Sequence, residues 1–261
     1  MKYKRNPNNI PGIHNYCDRW CERCYFSSRC AVYENTSDLT PEENDINNKA
    51  FWNRISENFG NAAIIIKEAA KKHGIDLDNI PEEETREYKR KEEDLEQQIK
   101  KHPLSKLSLS YINEGKKLLD TDDLLKEKRD ELVAQAEMGI QSEEQIINEA
   151  ATIKDCVEVV QWYLFFIHVK FDRALHGKLE GEEFAEEHGF PKDSDGSAKI
   201  ALIATDRSIE AWIKLLQLLP DHEDSIIPLL ASLQKIKKSG EGEFPDARQF
   251  VRPGFDESGN F

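Results

Sequence analysis

The chain has 261 residues, of which 33% are charged and 38% hydrophobic, with only 13 glycines. That length can bury a sizeable core, and the composition favours a soluble helical protein over a sandwich or barrel. The net charge of −14 repels phosphate backbones and argues against general nucleic-acid binding.

Residues 1–40 read as an irregular, cysteine-rich arm, punctuated by Pro7, Pro11-Gly12 and several Asn and Ser residues, with no sustained helical period. Within residues 1–30, six basic groups (Lys2, Lys4, Arg5, Arg19, Arg23, Arg29) face two acids (Asp18, Glu22), a net +4 on a chain whose remainder carries −18. The opening MKYKRNPNNIPGIHNY has no apolar h-region, so no signal peptide is expected. The longest apolar run, Val157 to Phe171, is interrupted by Glu158, Gln161, His168 and Lys170, short of the roughly twenty residues that span a bilayer. No membrane association is expected, and a cytoplasmic location is the default.

A helical body is expected over 41–238. Thr40-Pro41-Glu42-Glu43 carries a capping hydroxyl, a proline at the first helical position and acids in the first turn. The helix it opens is expected to run to about His73, with Phe51, Ile55, Phe59, Ala62 and Ile66 as its apolar stripe. Asn79-Ile80-Pro81-Glu82 starts a very polar second helix, whose thin stripe is Tyr88, Leu95 and Ile99. Leu104, Leu107, Tyr111 and Leu118 mark a third helix, and Asp120 to Asp123 cap a fourth. Ser142-Glu143-Glu144-Gln145 is a capping box that opens the longest helix, expected to end at Gly177. A polar loop over 178–196 with a short helix near Glu182 to His188 follows. Helices over Ala198–Leu219 and His222–Lys238 complete the body, the last one containing Pro228. From 239 to 261 an extended tail is expected to dock Phe244, Phe250, Phe255 and Phe261 on the helices. No strand pattern, repeat or glycine-rich phosphate loop is found. The fold class is therefore all-α, an irregular bundle of about six or seven helices.

The chemistry is concentrated in HNYCDRWCERCYFSSRC, which holds Cys17, Cys21, Cys24 and Cys30. In a reducing compartment, clustered thiols are more often metal ligands than disulfides. Zinc sites usually pair two C-x2-C knuckles across a longer loop, whereas here three cysteines fall within eight residues. This spacing points to a four-cysteine [4Fe–4S] cluster, with structural zinc as the alternative. Arg19, Arg23 and Arg29 are positioned in sequence to offset an anionic centre, and Trp20, Tyr25 and Phe26 to shield it or to anchor the arm. His14, three residues before Cys17, could replace one ligand. Cys156, alone in an apolar helix, reads as a buried small hydrophobe.

Cys17, Cys21 and Cys24, as C-x3-C-x2-C, resemble the cluster motif of radical S-adenosylmethionine enzymes. Cys21, Cys24 and Cys30, as C-x2-C-x5-C, resemble part of the auxiliary-cluster motif of maturase-type relatives of that family. The resemblance covers fourteen residues. The chain lacks the alternating strands and helices of that family's barrel, so its radical chemistry is not carried over. The function expected is metal binding for electron transfer or redox sensing, implying a redox or protein partner; the alternative is a non-enzymatic scaffold with a structural zinc site made by the same four cysteines.

A second feature lies in the longest helix. Lys154, Glu158, Gln161, His168 and Asp172 share one face, and His168, Asp172 and His176 follow at four-residue steps. The reading favoured here is a solvated or loosely packed polar face; the functional alternative is a lined cleft with Glu158 and His168 as acid–base or metal groups. The Glu-x-x-His pairs of di-iron bundles are absent, since Ala185 stands three before His188. Lys170 and Arg173 are expected to pair with Asp206 and Glu210 of a later helix.

Overall fold

The computed structural model describes residues 6–37, 39–77, 81–120, 123–189 and 191–256. Among them there are helices, turns and no strand, so the fold is all-α. The elements are α1 (Ala31–Ser37), α2 (Pro41–Asn44), α3 (Lys49–Lys72), α4 (Glu82–Lys101), α5 (Pro103–Leu119), α6 (Asp123–Glu137), α7 (Glu143–Glu180), α8 (Glu183–His188), α9 (Asp193–Leu218) and α10 (Glu223–Glu243). They group into two compact units, Met1–Asp94 and Leu95–Phe261.

In the first unit the arm is more ordered than its composition suggests. Cys21–Arg23 and Ser27–Arg29 each form one 3-10 turn, and the two-turn α1 follows directly. The helix start at Thr40 forms as expected, and as a full capping box, with Thr40 Oγ1 accepting from Glu43 N–H and the Glu43 side chain accepting from Thr40 N–H. The helix it starts is only one turn long. Asp45 leaves the helical region, its side chain accepts from Asn47 N–H, and Asn48 caps a new helix, α3. Local Asx hydrogen bonding thus outcompetes continuation. The expected stripe of α3 is largely uncovered: Phe59 is 73% exposed, Ala62 and Ile66 are exposed too, and Phe51 and Ile55 are half-buried. Asn79 and Ile80 of the second expected helix start lie outside the described residues.

The second unit holds the main core. The last turns of α4 contribute buried Leu95 and Ile99. α7 and α9 pack most extensively against each other. α9 buries the small residues Ser197, Ala201, Ala204, Ser208 and Ala211 at helical spacing, and α7 buries Val160, Tyr163, Leu164, Ile167 and Phe171 in the same core. Deep in the core Trp212 Nε1–H donates to Tyr111 Oη at 3.0 Å, joining α9 to α5 with both rings fully buried. Cys156 is buried, as expected.

Three helix ends in this unit differ from expectation. α7 runs through Gly177 to Gly181, whose φ of 97° ends it. Gly177 is retained inside the helix beside Ser194 and Glu182, and Glu182 accepts from Ser194 N–H and Oγ–H. α9 starts five residues early, at Asp193, with the acids Asp193 and Asp195 in its first turn. α10 continues past Lys238 to Glu243, because Gly240 lets it lie directly on the ring of Phe171. Beyond it, where the sequence predicts an extended tail from 239, the chain makes a 3-10 turn at Ala247–Gln249; Phe244 and Phe250 are buried, Phe255 is half-buried, and Phe261 lies outside the described residues. Lys199 Nζ–H donates to the Phe250 carbonyl and pairs with Asp256, which also accepts from Arg252.

Arg173 pairs with Asp193 rather than Asp206 or Glu210, and Lys170 lies over the Phe166 ring. Asp206 is taken by Arg248 and Lys237. No helix among the described residues is long and apolar enough to cross a membrane.

Candidate metal centre

The cysteine segment closes on itself through its backbone. Ile10 N–H donates to the Arg29 carbonyl at 3.0 Å, Arg29 Nε–H donates to the Asn8 carbonyl, and the Asn6 and Asn9 side-chain amides donate to Glu34. Residues 6–10 are thereby tied to 29–34, and the intervening loop contains Cys17, Cys21 and Cys24, with Cys30 at its closure. Ile13, 2% exposed, is the apolar centre of this small lobe.

All four cysteines are free and half-buried. The Cys24 sulfur accepts the backbone N–H of Phe26, two residues ahead, at 3.4 Å, and the Arg19 backbone N–H acts electrostatically on Cys17. Such N–H groups favour thiolate over thiol and are the kind of contact that tunes bound metals. Arg19 has φ of 61°, the one non-glycine residue with positive φ among those described, a conformation that costs an L-residue roughly 1 kcal/mol or more. Burial is the largest influence on Cys17 and holds its thiol above the usual range, against the Arg19 N–H and guanidinium. For Cys21 burial again leads, followed by the charges of Cys17 and Cys30, with Cys24 a smaller contributor. The four sulfurs therefore share one electrostatic neighbourhood. Among the described residues, no three His, Cys, Asp or Glu side chains converge as an ion requires.

The neighbours divide differently from the expectation drawn on sequence. Arg19 acts on Cys17, but Arg23 stacks on Trp20 at 3.9 Å and Arg29 holds the Asn8 carbonyl. Tyr25 is 97% exposed and shields nothing, whereas Trp20 and Phe26 are half-buried. His14 sits half-buried with Nδ1 buried and unpartnered, while its carbonyl accepts from the Cys17 thiol at 3.6 Å.

The polar face of α7 splits into two halves. Lys154, Gln161 and, less fully, Glu158 meet solvent, with Lys154 and Glu158 at 3.9 Å. His168 and Asp172 turn inward against α5. Glu158 and His168 are ten residues apart, about 15 Å along the axis. A cavity of about 350 Å³ is lined by Glu96, Ile99, Lys100, Asp172, Arg173 and His176, and neither residue reaches it. The acid–base pairing of Glu158 with His168 has no geometric support.

Comparisons with protein-family models, with curated proteins and with solved structures found no match.

Proposed function

We propose that the chain is a metal-binding protein in which Cys17, Cys21, Cys24 and Cys30 hold a [4Fe–4S] cluster used for electron transfer or redox sensing. The observation that supports this best is the placing of the four free thiols on one self-closed loop, with Cys24 already accepting a backbone N–H group. Ligation on this reading draws the four sulfurs together, with the tie between residues 6–10 and 29–34 as the fixed frame. A bound cluster supplies one-electron chemistry. The chain's part is to provide four thiolates, to donate N–H groups to sulfur at Arg19 and Phe26, and to exclude water with Trp20 and Phe26.

Structural zinc is the second reading, and one observation favours it. Arg23 and Arg29 are engaged with Trp20 and with the Asn8 carbonyl, and Arg19 is the arginine that acts on a thiol; a zinc dication with four thiolates carries the same net charge as the oxidised cluster and never takes on the further negative charge of the reduced one. Metal and acid-labile sulfide analysis of protein purified without oxygen separates the readings. Iron and sulfide near four per chain support the cluster. Stoichiometric zinc without sulfide supports the scaffold, and protein free of both metals refutes the two together.

A further inference from the structure

The contact between α5 and α7 contains a chain of polar groups whose protons can be counted. Ser108 Oγ lies 2.9 Å from the Ser105 carbonyl and 2.9 Å from His168 Nδ1. On the far side of the ring, His168 Nε2 lies 3.5 Å from Asp172 Oδ2. Ser108 is fully buried, so water supplies no further partner. A hydroxyl has one proton, and the carbonyl can only accept. With that proton on the carbonyl, Nδ1–H must donate to Ser108 Oγ. A neutral His168 then presents the Nε2 lone pair to a carboxylate. Asp172 Oδ1 is itself buried without a hydrogen-bond partner.

We propose that His168 and Asp172 form a proton-operated clasp between α5 and α7, closed when the pair takes up one proton and loosened when it loses it. The added proton sits between Nε2 and Oδ2 and converts two opposed acceptors into a hydrogen bond, charge-assisted when the imidazolium is the donor. The nearby His102 is wired the opposite way, which shows the difference is built by local geometry. As the N-cap of α5, its Nδ1 accepts from Leu104 N–H, so Nε2 carries the proton toward Glu243 at 3.6 Å.

The surrounding charges do not replace the clasp proton. From α10, Glu243 faces His102 and is held by Lys178 of α7 at 2.7 Å. From α4, Glu96 and Lys100 pair with each other at 2.9 Å. On α7 itself Arg173 is paired to Asp193 of α9, and His176 to Glu180. Burial raises the Asp172 carboxyl above the usual carboxylate range, with the Ser105 hydroxyl, His168 and His102 opposing in that order. Proton uptake by the folded pair is thus favoured, and stability attributable to it falls as pH rises.

The test is nitrogen-15 NMR of the histidine rings between about pH 8 and pH 5, the range in which imidazoles titrate, on the full chain. At the upper end His168 is expected as the Nδ1–H tautomer. In Asp172→Asn, whose side-chain amide can donate to Nε2, His168 is expected to take up its proton at lower pH than in the wild type. The urea midpoint of the wild type is expected to rise more on acidification than that of Asp172→Asn, the difference isolating the clasp from the general relief of a −14 chain. His168 found as the Nε2–H tautomer, or protonating unchanged in Asp172→Asn, overturns the proposal. If Asp172→Asn does not fold, the tautomer in the wild type still decides it.

Discussion

Replacing Gly240 by alanine sets two opposing effects against each other in one position of α10. Helix propensity alone predicts a gain of about 1 kcal/mol, because glycine is the poorest ordinary residue inside a helix. Packing predicts the reverse. A Cβ at Gly240 meets Phe171 Cζ at 2.6 Å and Cε1 at 2.7 Å, and Leu202 Cδ2 at 3.3 Å. Both neighbours are fully buried, so the ring has no open space to enter. Overpacking of a rigid core site costs roughly 1–3 kcal/mol, and a contact this short belongs in the upper half of that range. The expected net change is a loss of about 1 kcal/mol, a fall in melting temperature of roughly 2–4 °C for a unit of this size. Gly242→Ala is the matched control: nothing lies within 4 Å of its Cβ, and it is expected to stabilise slightly, by up to ~1 kcal/mol. Urea denaturation of the two variants and of Gly240→Ala combined with Phe171→Leu gives the comparison. The smaller side chain is expected to recover part of the loss, a non-additivity typical of residues in contact. If Gly240→Ala is as stable as Gly242→Ala, the close packing of α10 on Phe171 is wrong.

Other expectations follow from the same reasoning. Tyr111→Phe strands the Trp212 indole N–H in a fully buried site and is expected to cost about 1–3 kcal/mol in chemical denaturation. Asp256 is held well below the usual carboxylate range by Arg252 and Lys199, which outweigh its burial. Its contribution is complete above the unfolded value of about 3.9 and is lost as pH falls below it; acid unfolding of Asp256→Asn is therefore expected to be less steep than that of the wild type. For the metal centre, serine at any of Cys17, Cys21, Cys24 or Cys30 is expected to lower bound metal and the melting temperature of the arm, whereas Cys156→Ser leaves metal content unchanged. Equal metal in the quadruple serine variant would falsify the ligand assignment.

What could be read from the chain alone tracks how local each determinant is. The capping boxes at Thr40 and Ser142 are sequence-local hydrogen bonds, and both form. An isolated glycine is a poor helix residue and reads as a stop, yet Gly177 lies inside α7 and Gly240 inside α10, each where another element approaches closely. That approach exists only after folding. The break at Asp45 is hidden because a capping box marks where a helix starts and not how long it lasts. In the arm, the cysteine spacing names the four thiols, but no spacing reveals that Arg19 adopts positive φ or that Arg23 stacks on Trp20. Likewise, four-residue spacing puts His168 beside Asp172, whereas Ser108 comes from another helix, 60 residues away in sequence.

The positions of the tryptophans make the molecule its own optical reporter. Trp20 and Trp52 belong to the first unit and Trp162 and Trp212 to the second. Trp212 is completely sealed, with its indole N–H bound to Tyr111, whereas Trp52 is 55% exposed. Emission from Trp212 is accordingly expected to be blue-shifted and closed to acrylamide, and that from Trp52 red-shifted and readily quenched. Because Trp20 lies within the cysteine loop, its fluorescence is expected to respond to events at the thiols. Melting of the helical core is expected to register in Trp212, which lets the two processes be followed by tryptophan variants without an added dye.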